Sequence, residues 1–310
     1  VWTEQLKGMP FSAHPKVAKN GHIWNFGQSI HMQALIVYQL DAQGNLLQAK
    51  LVRDVPSGMI HDFCITDRHL IFVANSFRAT QHGKNYLSHF AYQSDAPQRV
   101  IVLDMDNLDA RRDFDIPPGF QFHFGNAYED KGGNIRFTMC ETDQDKFVSH
   151  GAKQLMRGEL PEGGDPSRLC EVVLKTNGQA TLERISDVMV GHEFPRFNPA
   201  FGGQAARYLY TVGNKAPGRP GETAILRHDL KSGRVDAHDY GPDNMVEEHL
   251  FVPSASPKGE ADGWLVGTTL DFKAKVTHVN VLRADALSDG PVAVFELPYA
   301  LPLGFHGTWA

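Results

Sequence analysis

The stretch Ala34-Leu35-Ile36-Val37-Tyr38, followed by Leu40-Asp41-Ala42-Gln43-Gly44, decides the fold. Its first part is short, apolar and rich in residues that favour β-strands, and its second part has the polar residues and glycine of a turn. The same strand-then-turn pattern recurs at intervals of roughly 50 to 70 residues, which is the length of a unit of several strands. The strand parts of the other units are residues 100–103, 171–174, 223–226 and 278–282.

These recurring units predict an all-β protein with about five units of several strands each. A β-propeller fits the pattern better than a sandwich, because radially arranged blades bring equivalent strand ends from distant positions to one central channel. The 29 glycines and 18 prolines are spread along the whole chain and mark no linker. We therefore expect residues 1–310 to belong to a single β-propeller domain.

The composition excludes several other classes of protein. The apolar fraction of 42% and the charged fraction of 21% are typical of a globular protein. The net charge is -6 and no stretch is dense in lysine and arginine, so we expect no nucleic-acid partner. Apolar runs such as residues 70–74 have the length of a strand, so no transmembrane segment is expected. The three cysteines show no Cys-x-x-Cys spacing and are expected to be reduced core thiols.

Four short motifs, each with one histidine, are distributed over almost the entire chain. They are Ser12-Ala13-His14-Pro15-Lys16, Ile60-His61-Asp62-Phe63, Phe122-His123-Phe124-Gly125 and Gly304-Phe305-His306-Gly307. Imidazoles this far apart can share one metal ion only if the fold returns the chain repeatedly to a common axis. The other histidines have no comparable motif around them, and we expect them at the surface or hydrogen-bonded in the core.

The residues and the order of the four motifs resemble those of the carotenoid cleavage oxygenases, a family of non-haem iron enzymes that includes stilbene-cleaving members. The resemblance extends from Ser12 to the last residue. It implies a seven-bladed propeller with Fe(II) on its axis, of which this chain has about five blades. The ligands would be His14, His61, His123 and His306, with open positions on the ion for dioxygen and water. Imidazole also suits zinc and copper, and a closed tetrahedral zinc site is the alternative.

Two glutamates are expected to accept hydrogen bonds from the ligand histidines and so to fix the orientation of their rings. Glu193, in Glu193-Phe194-Pro195, and Glu248, in Glu248-His249-Leu250, both lie in segments that resemble conserved family segments. His249 stands where the family has proline. A metal-bound imidazole commonly donates its second N–H to such a carboxylate, although each glutamate could instead be an ordinary surface residue.

The N-terminal region is expected to be incomplete. The chain opens on Val1-Trp2-Thr3 and only 13 residues precede His14, whereas the family has further strands and a third glutamate before its first histidine. We therefore expect an N-terminally truncated propeller, with residues 1–310 alone unable to act as a competent enzyme. This start in mid-protein carries almost no targeting information, and the expected location is cytoplasmic.

The resemblance implies oxidative cleavage of a carbon–carbon double bond in a carotenoid, apocarotenoid or stilbene-type molecule, giving two carbonyl products. The expected partners are this apolar conjugated substrate and O2, with peripheral membrane contact during substrate uptake. No catalytic residue is expected beyond the metal site. Phe305, Phe124 and Phe63 are candidates for lining an apolar tunnel, with core packing an equal alternative for the last two.

Two other functions remain open from the sequence. Some members of the family use the same iron site for retinoid isomerisation with ester cleavage. A propeller that only binds an apolar ligand, with the metal serving as a central pin, is the non-catalytic alternative.

Overall fold

The computed structural model describes residues 6–80, 86–143, 146–151, 153–154, 157, 159, 167–186, 190–214 and 222–308. Within these ranges the chain forms five four-stranded sheets and one two-stranded hairpin. All strand pairs within the sheets are antiparallel, as expected for blades in which each strand turns back beside the previous one. The predicted all-β fold with about five units is therefore confirmed.

The strands of the five blades and the hairpin have the following bounds. Blade 1 contains β1 (Lys16–Val17), β2 (Ile23–Ser29), β3 (Ala34–Leu40) and β4 (Leu46–Val52); blade 2 contains β5 (Phe63–Ile65), β6 (His69–Ala74), β9 (Gln98–Asp104) and β10 (Arg111–Ile116), with the hairpin β7 (Phe77–Ala79) and β8 (Phe90–Tyr92) inserted; blade 3 contains β11 (Phe120–Glu129), β12 (Ile135–Thr142), β13 (Arg168–Leu174) and β14 (Ala180–Arg184); blade 4 contains β15 (Val190–Arg196), β16 (Tyr208–Asn214), β17 (Ala224–Asp229) and β18 (Arg234–Asp239); blade 5 contains β19 (Asn244–Pro253), β20 (Gly263–Asp271), β21 (Val276–Arg283) and β22 (Pro291–Leu297).

Each strand that the sequence pattern predicted is the third strand of its blade. These are β3, β9, β13, β17 and β21, and the turn after each leads to the outermost strand. A third strand has partners on both edges and blade faces packed over it, which explains the buried apolar runs of β3, β9, β13 and β17, whereas β21 alternates between apolar and polar residues. The helical segments bounded within the described residues are short: 3-10 turns at Tyr86–His89, Pro199–Phe201 and Leu287–Asp289, and a π-helical turn at Phe147–Gly151. Within the described ranges, every helix is too short or too polar to cross a bilayer.

The hydrophobic cores lie between neighbouring blades. One core joins Trp24 and Leu35 of blade 1 to Phe72 and Ile101 of blade 2. Similar cores join blade 2 to blade 3 and blade 4 to blade 5. All three cysteines are buried and free, as predicted. Because each blade buries its faces against its neighbours, the blades hold one another in a fixed arrangement.

The first strand of each blade lies innermost. β11 contacts β5 on one side and β15 on the other, and β15 also contacts β19. Consecutive first strands are therefore neighbours although they are far apart in the sequence. This arrangement brings the starts of several blades to one axis, which is the geometry that a shared metal site requires.

His249 is fully buried in β19, so the strand continues through the position at which the resemblance implied proline. Its Nδ1 donates a hydrogen bond to the Glu247 carbonyl at 2.9 Å, and the ring lies above Gly267 of β20. A Cβ at Gly267 would be only 2.4 Å from the imidazole, so this glycine makes the space that His249 occupies. Burial lowers the pKa of His249 to about 4.

The buried His249 is expected to make the protein less stable in acid. A histidine whose folded pKa is lowered stays neutral in the native state while the unfolded state takes up a proton, so stability falls as the pH drops from about 6.5 towards 4. The full effect is about 3 kcal/mol. Urea unfolding of wild type and His249→Asn should be compared at pH 7.5 and at acidic pH. The free energy of unfolding should fall less on acidification in the variant, since asparagine retains the donor to Glu247 but takes up no proton. Identical pH profiles would contradict this, and His31→Asn, at an exposed histidine, is the control.

Candidate metal centre

The structure brings the four motif histidines together in one cluster. One nitrogen from each of His14, His61, His123 and His306 lies within 4.8 Å of all the others, and no other potential metal-binding group of this kind occurs in the described part of the chain. The Nε2 atoms form two close pairs, His14 with His61 at 3.0 Å and His123 with His306 at 2.8 Å. The spatial convergence expected from the motifs is present, and the ligand role stays a prediction.

Each histidine comes from the inner edge of the fold. His14 lies just before β1, His61 just before β5, and His123 within β11, so each lies in or just before the first strand of a different blade. His306 lies beyond β22 in the segment that follows the last blade. The imidazole edges pack against one another, with ring centroids of His14 and His306 4.5 Å apart.

β-Bulges in three strands aim the side chains of this site. The register of β11 with β12 shifts on both sides of Phe124, that of β15 with β16 shifts on both sides of Glu193, and that of β19 with β20 shifts between Val246 and His249. A bulge adds a residue to one strand and turns a side chain away from the regular alternation. His123, Glu193 and Glu248 all lie at these interruptions, so the site is constructed where the strands depart from regular pairing.

Burial keeps the first two histidines neutral. It lowers the pKa of His14 to about 3 and that of His61 to about 4, against the ordinary histidine value. Asp62 opposes this shift for both residues, but burial is the larger effect. A neutral imidazole offers a lone pair, and this is the form in which histidine binds a metal ion.

Glu193 and Glu248 are hydrogen-bonded to the other two histidines, and their role as outer partners of a metal site stays a prediction. Glu193 Oε2 lies 2.6 Å from His123 Nδ1, and Glu248 Oε1 lies 3.2 Å from His306 Nδ1. Burial by itself raises the pKa of Glu248, but the hydrogen bond from His306, the charge of Arg196 and the Gly307 N–H together lower it. Within the described residues, no carboxylate is hydrogen-bonded to His14 or His61.

These hydrogen bonds make the cluster suitable for a cation. A carboxylate can only accept, so Nδ1 of His123 and of His306 must donate, and in the neutral rings each Nε2 then has a lone pair. The two Nε2 atoms face each other at 2.8 Å, and two lone pairs at that distance repel unless a positive charge lies between them. Two nitrogens bound on opposite sides of one metal ion at ordinary bond lengths are about 4.2 Å apart. The donor nitrogens of the four histidines lie within 4.8 Å of one another, which is a similar separation. The donor set therefore fits a divalent ion bound by nitrogen.

The structure corrects two of the three candidates for an apolar lining. Phe63 is completely buried against Phe72, and Phe124 packs against Phe137, so both belong to cores between blades. Core packing was the stated alternative for both. Phe305 is about half exposed and adjoins His306.

Phe122 and Phe194 are the phenylalanines whose rings lie against the histidines. Phe122 is 5.3 Å from the ring of His61, and Phe194 is 5.2 Å from the rings of both His123 and His306. Phe194 has a φ of 49°, which bulky residues rarely adopt and which follows from its place in the bulge of β15. Both residues adjoin a site residue in sequence, which is the only signal that could have identified them.

Two further charged residues near His306 were also missed. Arg196 donates from Nε to Glu248 Oε1 at 2.8 Å and from a second guanidinium nitrogen to the same oxygen. Glu247 accepts a hydrogen bond from the Gly304 N–H and another from Thr268 Oγ1 at 2.5 Å. Glu248 in turn accepts the Gly307 N–H at 2.9 Å, so two consecutive glutamates hold the backbone on both sides of His306.

Comparison with known proteins supports the predicted resemblance. The sequence profile of the family described as RPE65, retinal pigment epithelial membrane protein, matches residues 2–310. The chain is 28% identical over 323 residues to apocarotenoid-15,15'-oxygenase of Synechocystis, which covers 98% of this chain and 64% of that protein. It is 29% identical over 320 residues to carotenoid 9,10(9',10')-cleavage dioxygenase 1 of Pisum sativum, which covers 96% of this chain and 58% of that protein.

Comparison of the structure with solved structures identifies proteins of the same kind as the sequence comparison does. A structure of a Synechocystis apocarotenoid oxygenase mutant superimposes with a TM-score of 0.83 at 25% identity, over 98% of this chain and 65% of that one. The crystal structure of cobalt-substituted Synechocystis apocarotenoid oxygenase superimposes with a TM-score of 0.84 at 24% identity, over 100% of this chain and 68% of that one. The chain spans roughly three-fifths of the length of the two sequence relatives. The propeller fold is confirmed, and the chain belongs to the RPE65 and carotenoid oxygenase family.

Proposed function

We propose that this protein is a non-haem Fe(II) dioxygenase that cleaves a carbon–carbon double bond of a carotenoid, apocarotenoid or stilbene-type substrate into two carbonyl products. The observation that supports this most directly is the four-histidine cluster, in which two imidazoles have their second nitrogen fixed by Glu193 and Glu248. The names of the relatives supply the substrate range, since they include apocarotenoid, carotenoid and lignostilbene oxygenases.

Four neutral histidines suit this reaction. They contribute no charge, so the site retains the full charge of a divalent ion, and four ligands leave two positions free on a six-coordinate ion. A closed zinc site would use all four positions of a tetrahedron. When bound, iron supplies the activation of dioxygen that cleavage of an alkene requires.

The chain's own residues then determine orientation and access. Glu193 and Glu248 fix the tautomers of His123 and His306, so that each Nε2 is available as a donor. Phe122 and Phe194 place apolar ring surface next to the histidines, which favours an apolar substrate and excludes water near the reacting bond. The hydrophobic cores shared between blades support the proposal that residues 1–310 belong to one domain.

The test is product analysis with the full-length protein, purified and loaded with Fe(II) under argon. An apocarotenoid and a hydroxylated stilbene are supplied separately, each under 18O2 and under argon. We expect two carbonyl products from one of them, with one labelled oxygen atom in each product, and no product under argon. This balances the reaction, because one alkene and one dioxygen give two carbonyls.

Each alternative gives a different result in the same assay. A retinoid isomerase would form its product from a retinyl ester and would incorporate no oxygen from 18O2. A propeller that only binds its ligand would contain one metal ion per chain and convert none of the substrates. Either result would contradict the proposed dioxygenase.

A further inference from the structure

Asp62 is a buried carboxylate at the base of the histidine cluster, directly after His61. Its side chain is 3% exposed, and both oxygens are used. Oδ1 forms an ion pair with Lys16 Nζ at 2.8 Å and accepts the Phe63 N–H at 2.7 Å, while Oδ2 accepts the Phe124 N–H at 3.2 Å. Lys16 belongs to blade 1, Phe63 to blade 2 and Phe124 to blade 3. One carboxylate therefore connects three blades.

Every partner of this carboxylate lies next to a histidine of the cluster. Lys16 is two residues after His14, and Phe124 directly follows His123 at the bulge of β11. Asp62 itself directly follows His61. The three connections therefore act on the backbone segments that bear three of the four clustered histidines. A shift of any one segment would stretch a hydrogen bond or an ion pair in a site with little access to water.

The charges around Asp62 indicate a structural connection and exclude a ligand role. The carboxylate is neutralised by Lys16, whose ammonium also lies 5.8 Å from the centre of the Phe63 ring. Asp62 is not among the four residues whose donor atoms converge. A buried carboxylate with an ion pair and two backbone N–H donors is held in one orientation, and it holds its partners in turn.

A second ion pair between the same two blades provides a comparison. Lys19 Nζ and Asp67 Oδ2 are 2.6 Å apart, but their side chains are 53% and 50% exposed. Exposed pairs of this kind contribute little to structure, because solvent screens them and the side chains must be ordered. Burial and the two backbone N–H donors therefore distinguish Asp62 from an ordinary link between blades.

We propose that Asp62 is a positioning residue, which sets the spacing of His14, His61 and His123 by connecting blades 1, 2 and 3 through a single carboxylate. The inference rests on the proposed metal site. It assigns to Asp62 and Lys16 a role in the geometry and affinity of that site, and no contact with the metal or the substrate.

Co(II) binding to metal-free protein tests this without any turnover. Asp62→Asn keeps the size of the side chain but removes the charge and replaces one acceptor by a donor facing either Lys16 or a backbone N–H. We expect Co(II) affinity to fall about 10–100-fold, the usual effect of losing a group that orients ligands, and the visible absorption of bound Co(II) to shift. Asp67→Asn, in the exposed pair, should match wild type in both measurements.

Lys16→Met provides a second variant in case Asp62→Asn does not fold. It removes the connection to blade 1 and retains both backbone hydrogen bonds, so its loss of affinity should be smaller but measurable. Thermal unfolding of the metal-free proteins identifies the folded variants. Wild-type affinity and absorption in folded Asp62→Asn, or in Lys16→Met if the first variant is unfolded, would overturn the proposal.

The two proposals fail in different ways. A wild-type protein that binds Co(II) but cleaves no alkene when loaded with Fe(II) contradicts the dioxygenase function and leaves the role of Asp62 intact. An active wild-type enzyme whose Asp62→Asn variant binds Co(II) normally contradicts the role of Asp62 and leaves the function intact.

Discussion

Replacing any one of His14, His61, His123 or His306 by alanine is expected to abolish alkene cleavage and to remove most of the bound metal. The cluster has four donors, and the described residues offer no fifth that could replace a lost one. The loss should exceed the ~10–100-fold change typical of an outer partner, because a bond to the ion itself disappears. Metal content after anaerobic loading, measured with the initial rate of cleavage, checks the prediction.

His22→Ala and His238→Ala are the controls for these four variants. His22 is hydrogen-bonded to Asn20 and Gln39 near the surface, and His238 packs against the ring of Tyr240 at 4.5 Å. Neither belongs to the cluster, so both variants should retain one metal ion per chain. Normal iron content in two or more of the four cluster variants would contradict the four-histidine site.

Glu193→Gln and Glu248→Gln are expected to fold and to lower metal affinity or activity by about 10–100-fold, the second-largest effect that the structure predicts. Glutamine has the same size but no charge, so the bond to Nδ1 weakens and the imidazole loses its fixed tautomer. Glu248→Gln should have the larger effect, because Glu248 is buried and also binds Arg196 and the Gly307 N–H. Metal titrations and initial rates at matched protein concentration measure both effects.

Glu129→Gln is a matched control for these two glutamates. Glu129 also accepts from a histidine, with Oε1 2.8 Å from His69 Nδ1, but this pair lies outside the cluster. The variant should bind metal as wild type does. Wild-type affinity and rate in both Glu193→Gln and Glu248→Gln would show that these carboxylates do not tune the site.

The parts of the molecule that could be predicted from sequence are those with a local signal. The third strands of blades 1 to 4 contain runs of buried apolar residues, and that of blade 5 alternates, so all five were visible as short β-branched segments. The clustered histidines and the two glutamates were visible because each is embedded in a distinctive motif. In both cases a few neighbouring residues carry the information.

The bulges could not be predicted, because they depend on pairing between strands. Whether Phe194 or Glu193 points to the axis is decided by the register of β15 against β16, and no periodicity within residues 190–196 encodes it. For the same reason the sequence left Phe63 and Phe124 open between a tunnel and core packing, and the folded chain has them packed between blades. Asp62 lies in one of the four motifs, but its three connections come from three blades and are visible only in the folded chain.

The place of His306 beyond the last blade has a consequence for how the protein is made. His123 and His306 form a pair in space but are 183 positions apart, so the ribosome needs roughly 10 to 40 seconds to add the second after the first. During that interval a nascent chain has at most three of the four histidines. A site of three nitrogen donors that selects metal ions by affinity alone would bind zinc or copper more strongly than Fe(II). The proposed Fe(II) site is therefore complete only once His306 has been added, and until then its other three histidines are open to zinc and copper.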